Sequence, residues 1–528
     1  MSKDSTRYLV GNAKNGHIPS IFTLSGIGDE NNQYKYFNEI IEVLDNTTDY
    51  RVYLNDINIF NYRKINDLYM DFHDKLTVII GENGVGKTSI LEGIFRNLSV
   101  IFNNILKEDV GGLILTDSDV NNKVEINREV GVNDYCEFSC NLKYGRESRI
   151  EGSLVGKLKG STSKKRNKYD DYKLYGTIWR EINGVQEVNL PLFSFYGVNR
   201  LTLDKKKAYD KNFKFIDKFD AYNKNLNSSS SFNDFILWLI RNIKQIRGYN
   251  DNRNLYKQIM LLKEMSLEKD DPLFQILIEK EKEYNNFFAT DYKRENSYFN
   301  ITIIEDVFKR IYQDFVKIEL DMSTGKDEIF LEFINYKVNI NQLSDGQRVY
   351  LGLLGDIAYK MILLNPKLPD PLKGHGIILI DEIELHLHPK WQQQSVLLLQ
   401  EIFPNIQFII TTHSPHVLST VDKSSIRILT EEGLRSVPYQ PKGIMSSFVL
   451  EMLMDTNAVP DIKEAQDLEL INIMIENNEY TTDKFIFLMK QLVNHFGENH
   501  PEIIKINSRI KFKELKNNIK IKMELNKK

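Results

Sequence analysis

The chain has 528 residues, which at about 100–200 residues per domain corresponds to two to five folding units. Its hydrophobic fraction of 41% and charged fraction of 27% exclude a wholly disordered chain and a fibrous repeat. The formal net charge of −4 does not indicate a dedicated polybasic binder, although it leaves room for local basic patches.

Cysteine content and hydropathy favour a cytoplasmic protein. The only cysteines, Cys136 and Cys140, are too few for a disulfide framework, so we expect two buried thiols in a reducing compartment. The first 20 residues are polar and lack the apolar core of a signal peptide. The apolar stretches stop short of the about 18 residues of a membrane helix, so no membrane partner is expected.

The first part of the chain predicts strands that lead into a glycine-rich turn. Residues 1–50 are polar with one short helical segment near 36–44. Period-two alternation from Val52 to Phe72 predicts two strands. The apolar run 76–80 predicts a buried parallel strand, and a helical pattern follows the glycine-rich turn after it. Residues 105–200 look β-rich and contain a basic loop.

The second part predicts helices on both sides of two further buried strands. Residues 205–330 look mostly helical, with strand signals returning near 328–334. Two apolar runs, 377–380 and 408–410, have the length and composition of buried strands. Residues 441–500 predict amphipathic helices, and the last 28 residues hold nine Lys or Arg against three Glu.

The strongest motif is Gly81-Glu-Asn-Gly-Val-Gly86-Lys87-Thr88, which matches G-x-x-x-x-G-K-[ST] between a predicted strand and a predicted helix. Glycines let consecutive backbone N–H groups surround phosphate oxygens at the positive end of the helix. Lys87 would contact the β- and γ-phosphates of ATP, and the Thr88 hydroxyl would bind Mg²⁺. The residues predicted to contact nucleotide here are Asn83, Gly84, Val85, Gly86, Lys87, Thr88 and Ser89.

A second motif places two carboxylates directly after a buried strand, in Ile377-Ile-Leu-Ile-Asp381-Glu382. The carboxyl end of such a strand faces the phosphate site in parallel α/β sheets. Asp381 would hold Mg²⁺ directly or through water, and Glu382 would act as general base on the attacking water. Four apolar residues followed by Asp-Glu are common in proteins, and the pattern indicates a nucleotide site only because a phosphate loop precedes it in the chain.

A third motif, Leu343-Ser344-Asp345-Gly346-Gln347-Arg348, precedes a predicted helix. By itself it is a capped helix start, with Ser344 as the N-cap residue. The same exposed N–H groups could also meet a phosphate carried by another subunit, because helix N-termini attract anions. Both roles are compatible.

These motifs in this order resemble the ABC, SMC and Rad50 class of ATPases. The resemblance implies an α/β fold, in which an ABC-type P-loop ATPase head carries a mostly helical insertion and a helical C-terminal region. It identifies LSDGQ as a signature motif, with Asp345 in place of a glycine, and His413 as the switch histidine that contacts the γ-phosphate. A structural strand-end histidine is the other interpretation of His413.

The amino acids found in these motifs resemble those of a narrower group of proteins from bacterial defence loci, the PtuA ATPases of Septu and of certain retrons. The residues that carry this resemblance are Asp381-Glu-Ile-Glu-Leu-His-Leu-His-Pro389, Thr411-Thr-His-Ser-Pro415, Tyr196-Gly197 with Arg200, and the signature. The domains predicted on this basis are an N-terminal extension (1–50), two head lobes (51–205 and 331–430), a helical insertion (206–330) and a helical C-terminal region with a basic tail (431–528).

The resemblance also implies how the chain would assemble. A head-to-tail homodimer, or a higher homo-oligomer, would sandwich ATP between Lys87 of one subunit and Ser344, Gly346 and Gln347 of the other. The expected partner is an HNH nuclease subunit like PtuB. Nucleic acid, either DNA or RNA, is a further expected partner, and retron versions add a reverse transcriptase and its RNA–DNA product.

Several residues carry weaker interpretations. Asn61 and Arg63 occupy the place of an N-x-R element that contacts nucleotide in this class, although a surface arginine explains the pattern equally well. Arg200 is a candidate for sensing nucleotide at the junction of the lobes. His386 and His388 are two residues apart and no third metal ligand is evident, so we expect them to have a structural or interface role rather than to bind a metal.

The C-terminal region indicates an ATPase without its own nuclease. Related nuclease-fused enzymes continue into a domain with a D-x-D metal site, and no D-x-D follows Ser419. The competing hypothesis is a DNA repair or recombination ATPase like the Rad50 and RecF group, and a third is an ATPase coupled to a toxin.

Overall fold

The computed structural model describes residues 3–27, 29–121, 134–198, 218–222, 234–246, 259, 261–262, 273–280, 292–323, 325 and 327–525. These residues form two compact units, Met1–Val449 and Leu450–Lys528. The first unit holds every sequence motif discussed above. Among the described residues, no helix has the length and apolar character needed to cross a membrane.

The first unit contains both strands and helices, and the second contains helices only among its described residues. In chain order the strands are β1 Val52–Tyr62, β2 Ile65–Asp71, β3 Leu76–Ile80, β4 Tyr135–Tyr144, β5 Ser148–Lys157, β6 Leu192–Tyr196, β7 Phe315–Asp321, β8 Glu328–Phe333, β9 Lys337–Asn339, β10 Gly376–Ile380, β11 Ile406–Thr411, β12 Ile426–Thr430 and β13 Gly433–Arg435. The helices are α1 Lys3–Lys14, α2 Ile18–Ser25, α3 Glu30–Asp45, α4 Lys87–Leu106, α5 Asp170–Val185, α6 234–246, α7 273–280, α8 Tyr292–Ile311, α9 Asp345–Leu364, α10 Pro389–Ile402, α11 Pro415–Leu418, α12 Ser446–Leu453, α13 Lys463–Glu476, α14 Asp483–Phe496 and α15 Pro501–Leu525.

The central six-stranded sheet has the order β13-β12-β3-β11-β10-β6, and all its neighbours are parallel except β13. Every residue of β3, β6, β10 and β11 is buried, as expected for strands with both faces covered. The predicted α/β architecture is therefore confirmed. Because the carboxyl ends of β3, β10 and β11 meet at one edge, the loops that follow them lie together.

A four-stranded antiparallel sheet of order β2-β1-β4-β5 accompanies the central sheet. The two strands predicted from the alternation between Val52 and Phe72 are β1 and β2. Cys136 and Cys140 are buried on β4 as free thiols, and burial raises the pKa of both. The expectation of two buried thiols is confirmed.

Helix α4 follows the glycine-rich turn and packs between the two sheets. Its buried face includes Ile90, Leu91, Ile94 and Leu98, the residues of the predicted helical pattern. Gly93 allows α4 to approach β4 closely, because a Cβ at this position would collide with the ring of Phe138 on β4. The helix thus fixes the phosphate loop relative to both sheets.

Three segments differ from the sequence-based expectation. The N-terminal region contains three helices rather than one, and buried residues such as Ile21 and Ile40 anchor α2 and α3. The β-rich region contains α5, whose Tyr172, Tyr175 and Trp179 are buried at helical spacing. These side chains are buried by contacts with residues distant in sequence, so the local residue pattern did not predict the helix.

The predicted helical insertion contains strand as well as helix. Helices α6, α7 and α8 are present, but β7 also lies within the range 206–330 and pairs antiparallel with β8, which crosses the predicted boundary at 330 and in turn pairs with β9. Side chains of β7 alternate between exposed Lys317 and buried Ile318 and Leu320, which is the pattern of a half-buried strand.

The second unit is a helical bundle formed by α13, α14 and α15. Its core contains Ile471, Met474 and Ile475 with residues of the other two helices. This confirms the amphipathic helices predicted between 441 and 500. The unit begins at Leu450 rather than near 431, because β13 continues the central sheet and Ser446 hydrogen-bonds to His416 in the first unit.

Candidate functional site

The phosphate loop connects β3 to α4 at the edge of the central sheet. The loop closes with Gly86 at φ 111°, a left-handed conformation that favours glycine. Gly81 has φ 151°, and a Cβ at this position would collide with the carbonyl oxygen of Leu429 on the neighbouring strand. The two glycines therefore permit a turn that directs the N-terminus of α4 outward from the sheet edge.

Lys87 is held against its own loop. Its ammonium donates hydrogen bonds to the carbonyl oxygens of Gly81 at 2.9 Å and Glu82 at 2.8 Å. Burial lowers the pKa of Lys87, while the carboxylates of Asp381 and Glu382 oppose this change. An ammonium held at the mouth of a phosphate loop can exchange these carbonyl contacts for phosphate oxygens.

Asp381 lies at the carboxyl end of β10 and is almost completely buried. Its Oδ2 accepts a 2.8 Å hydrogen bond from the Thr88 hydroxyl, and its Oδ1 accepts a 2.6 Å bond from the Thr411 hydroxyl. Its backbone N–H donates to the carbonyl oxygen of Tyr196 on β6. Contacts from three different segments therefore fix the carboxylate beside the phosphate loop.

The site presents oxygen ligands that suit Mg²⁺. The Thr88 hydroxyl and the Asp381 carboxylate lie side by side, and Mg²⁺ prefers hard oxygen ligands and keeps several waters. Among the residues that the structure describes, no group of three or more His, Cys, Asp or Glu is arranged so that it could hold a metal ion. This donor set fits a metal that also binds nucleotide phosphates.

Glu382 follows Asp381 with φ 47°, a left-handed conformation that is uncommon outside glycine. Its backbone N–H donates a 2.8 Å hydrogen bond to the Thr411 hydroxyl. This contact and the bond from Ile383 N–H to the carbonyl oxygen of Thr411 hold the turn in place. The half-buried Glu382 thus follows Asp381 at the sheet edge that carries the phosphate loop.

His413 is half-buried in the loop after β11. Burial and the positive charge of Lys87 lower its pKa, although three carboxylates, including Glu384 and Glu382, act in the opposite direction. A neutral imidazole can donate a hydrogen bond through one nitrogen and accept one through the other. The structure therefore places His413 within the electrostatic influence of Lys87, Asp381 and Glu382.

The signature motif begins α9 with a capping box. Ser344 Oγ accepts a hydrogen bond from the N–H of Gln347, and Gln347 Oε1 accepts one from the N–H of Ser344. A Cβ at Gly346 would collide with the carbonyl oxygen of His386, so the signature packs closely against the loop after Glu382. Asp345, the residue that departs from the family pattern, forms an ion pair with Arg348.

Asn61 lies near the end of β1 and Arg63 in the turn that leads to β2, both with positive φ. Asn61 is buried, and its amide donates a hydrogen bond to the carbonyl oxygen of Tyr135. Arg63 donates to Asp119 at 2.9 Å and to Ser89 at 3.2 Å, and it forms an ion pair with Glu92. Arg63 thus reaches the first turn of α4, next to the phosphate loop.

The other sequence candidates have these positions. His388 is the N-cap residue of α10, where its Nδ1 accepts a hydrogen bond from Lys390 N–H. His386 is exposed with φ 66°. Neither occurs in a metal cluster among the described residues. Arg200 lies outside the described residues.

The sequence patterns did not predict the roles of three residues at the site. Thr411 bridges Asp381 and Glu382, Glu384 bonds to the loop of His413, and Gln392 links that loop to α10. The sequence feature that could have indicated Thr411 is its hydroxyl at the end of a buried strand, β11, which lies next to the strand that precedes Asp381. Its partners, however, depend on strand order, which the sequence alone does not reveal.

Comparison with known proteins places this site in a family context. The AAA ATPase domain family matches residues 53–418, which contain every motif of the site. The retron Vc95 probable ATPase of Vibrio cholerae serotype O1 biovar El Tor is 30% identical over 494 residues, covering 87% of this chain and 91% of that protein. The predicted resemblance to retron ATPases is thereby confirmed.

Two further similarities are more local or more distant. The Septu protein PtuA of Bacillus mycoides (strain KBAB4) is 30% identical over 171 residues, or 31% of this chain and 23% of that protein. The Smc head domain of Pyrococcus furiosus, solved with an extended coiled coil and bound to the C-terminal domain of ScpA, aligns with 73% of this chain and 95% of that chain. That alignment has 12% sequence identity and a TM-score of 0.39.

Proposed function

This chain belongs to the family of proteins with the AAA ATPase domain, and we propose that it is the ATP-binding and ATP-hydrolysing switch subunit of an antiphage defence complex. One observation carries the ATPase part: the Thr88 hydroxyl and the Asp381 carboxylate meet at the sheet edge that also carries Lys87 and Glu382. The defence part is supported by similarity along most of the chain to a retron probable ATPase.

Hydrolysis would proceed by in-line attack of water on the γ-phosphate. Lys87 would bind the β- and γ-phosphate oxygens, and the backbone N–H groups of the loop would surround the remaining charge. When bound, Mg²⁺ would neutralise charge that develops on the phosphate oxygens, with Thr88 and Asp381 as its protein ligands. Glu382 would accept the proton of the attacking water, and His413 would contact the γ-phosphate.

The signature motif supports an assembly in which two heads share each nucleotide. Ser344, Gly346 and Gln347 form the start of α9, where backbone N–H groups can receive a phosphate. Ser344 and Gln347 are exposed or half-buried, so they can face another subunit. A head-to-tail homodimer closed by ATP and opened by hydrolysis would turn the nucleotide state into a change of shape.

The output of this switch would be a partner nuclease. We propose that an HNH subunit like PtuB binds the closed or the open state, and that the chain itself has no nuclease activity. In a retron setting, a reverse transcriptase and its RNA–DNA product would complete the assembly. The complex would operate in the cytoplasm, where phage nucleic acid is present.

The decisive experiment combines purified components with phage challenge. The protein alone should hydrolyse ATP with Mg²⁺ and leave plasmid DNA and cellular RNA intact, and cleavage should require the product of the neighbouring gene. Cells carrying both genes should resist phage, and Lys87→Ala should abolish that resistance. The exposed Lys75→Ala should leave both hydrolysis and resistance unchanged and serves as the matched control.

Other outcomes would redirect the proposal. DNA-stimulated hydrolysis without any phage resistance would favour a repair ATPase of the Rad50 and RecF type. Metal-dependent cleavage by the protein alone, removed by a point change within residues 420–528, would reveal an intrinsic nuclease site.

A further inference from the structure

Glu384 lies two residues after Glu382, but its carboxylate contacts the loop of the neighbouring strand. Its Oε2 accepts a 2.7 Å hydrogen bond from the Thr412 hydroxyl, and its Oε1 accepts a 2.5 Å bond from the backbone N–H of His413. The two oxygens are thus each engaged by a donor from the segment that carries the switch histidine. Glu384, the second glutamate of the Asp-Glu-Ile-Glu sequence, therefore binds the loop that carries His413.

Strand order explains why these two loops meet. β10 and β11 are parallel neighbours, with Ile380 paired to Ile410, so their chains leave the sheet side by side. The backbone bond from Ile383 N–H to Thr411 O extends this pairing by one step beyond the strands. The left-handed turn at Glu382 then redirects the chain, and the Glu384 side chain crosses back to Thr412 and His413.

A second contact holds the far side of the same loop. Gln392 on α10 accepts a 2.6 Å hydrogen bond from the Ser414 hydroxyl and donates a 2.8 Å bond to the carbonyl oxygen of Leu387. The segment 412–414 is therefore tied at both ends to the chain that follows Glu382. Such contacts fix the backbone of His413 relative to Glu382, because each removes a degree of freedom from the loop.

We propose that Glu384 is a positioning residue, which holds the switch histidine His413 in register with the general base Glu382. This inference rests on the proposed ATPase function and assigns Glu384 a role distinct from that of the base. A general base must present an oxygen to the attacking water, whereas both oxygens of Glu384 accept hydrogen bonds from the His413 loop.

Loss of this contact would act on catalysis through geometry. Without Glu384, the N–H of His413 loses its acceptor, and the loop can move away from the γ-phosphate position. A displacement of about 1 Å at a catalytic group can lower a rate by about 100-fold. ATP binding through the phosphate loop would remain, because the ammonium of Lys87 is held by the carbonyl oxygens of Gly81 and Glu82.

The test is a double-mutant cycle of Glu384→Gln and His413→Ala, read by steady-state ATP hydrolysis. Glu384→Gln keeps the shape but replaces one acceptor oxygen with an NH₂ donor. We expect it to lower kcat by about 10- to 100-fold with KM for ATP changed by less than about twofold. In the His413→Ala background the same change should lower kcat by less than about twofold, because residues that act through one another are non-additive.

Two further variants complete the design. Thr412→Val removes the donor to Oε2 and the acceptor for Ser414 N–H but keeps the bond from His413 N–H to Oε1, so its kcat should lie between wild type and Glu384→Gln. Glu431→Gln changes an exposed glutamate away from the site and should leave kcat and the thermal midpoint unchanged. Equal thermal midpoints for wild type and Glu384→Gln would separate positioning from a loss of folded protein.

Three outcomes would overturn the inference. An equal loss of kcat in both backgrounds, together with normal hydrolysis by Glu382→Gln, would make Glu384 the base. A lower thermal midpoint with a parallel rise in KM would make its role purely structural. Full activity of Glu384→Gln while Lys87→Ala is inactive would reject the positioning role and leave the proposed ATPase function standing.

Discussion

The hydroxyl of Thr88 donates a 2.8 Å hydrogen bond to Oδ2 of Asp381, although 293 residues separate the two in sequence. The hydroxyl ends the phosphate loop, and the carboxylate ends β10. Their contact requires β11 between β3 and β10, because Thr411 at the end of β11 holds the other oxygen of Asp381. Thr88 and Asp381, the metal ligands expected from two separate motifs, are therefore neighbours in space.

Thr411→Val should weaken use of Mg²⁺ more than it weakens ATP binding. Valine keeps the shape but leaves Asp381 Oδ1 without its donor and Glu382 N–H without its acceptor. Loss of such a supporting contact typically costs about 10- to 100-fold in metal affinity or activity. The measurement is the Mg²⁺ concentration for half-maximal hydrolysis. An unchanged Mg²⁺ requirement would contradict the bridging role of Thr411.

Lys87→Ala should abolish ATP binding measured by calorimetry, because the positive charge that faces the β- and γ-phosphates is lost. The ammonium also bonds to two loop carbonyls, so the variant must be checked for folding by its thermal midpoint. Lys75→Ala, a change at an exposed lysine, is the control and should bind ATP normally. Tight ATP binding by folded Lys87→Ala protein would show that the phosphate loop lies elsewhere.

Glu382→Gln should bind ATP, hydrolyse it at least about 100-fold more slowly, and accumulate as a closed dimer. Glutamine preserves the size of the side chain but cannot accept the proton of the attacking water. Hydrolysis and sedimentation are compared with wild type at saturating ATP. A normal hydrolysis rate would transfer the role of base to another residue, of which Glu384 is the first to examine.

Ser344→Arg should block hydrolysis while each subunit still binds ATP. The change introduces bulk and charge at the start of α9 and removes an N-cap, whose loss costs about 1 kcal/mol of stability. Asp345→Ala, at the adjacent exposed residue, controls for changes in the loop. Mixing Ser344→Arg with Lys87→Ala protein should restore at most one composite site. Undiminished hydrolysis by Ser344→Arg alone would argue against shared nucleotide sites.

The stability of the first unit should fall as the pH drops below about 6.5, partly through His375. Burial and, to a smaller degree, the charge of Arg51 lower the pKa of His375 to about 3. Its Nδ1 accepts a 3.1 Å hydrogen bond from Val52 N–H, and its ring stacks on Tyr144, so the neutral form suits the folded state.

The sign follows from proton binding. Between about pH 6.5 and 3 the unfolded chain binds a proton at this residue and the folded chain does not, so lower pH favours unfolding. His375 alone should reduce the free energy of unfolding by about 2 kcal/mol between pH 7.5 and 5. Urea denaturation of wild type and His375→Gln measures this, because glutamine keeps an acceptor for Val52 and does not titrate. Equal pH dependence of the two proteins would contradict the assignment.

Local chemistry explains why the sequence alone was enough to propose a nucleotide site. The phosphate loop is a run of consecutive residues whose backbone conformation depends on its own glycines, as the positive φ of Gly86 shows. Asp381 and Glu382 follow an uninterrupted apolar run that becomes the buried strand β10. Motifs of this kind are readable because the residues that perform the chemistry are neighbours in the chain.

Helix α5 and strand β7 show where local pattern was insufficient. The aromatic side chains of α5 are buried by other elements, including Tyr144 on β4, and the β-rich expectation for residues 105–200 did not include this helix. β7 is stabilised by its hydrogen bonds to β8, whose residues lie beyond an intervening turn. In both cases tertiary contacts outweighed local preference.

The sequence by itself determined which residues we propose to bind nucleotide, through the phosphate loop, the carboxylates after β10 and the order of the motifs. The tertiary structure decided how those residues are held: Thr411 between Asp381 and Glu382, and Glu384 against the loop of His413. The physical reason is that hydrogen bonds between the ends of neighbouring strands depend on strand order. Strand order is set by the burial of the whole sheet, and no single segment of the chain encodes it.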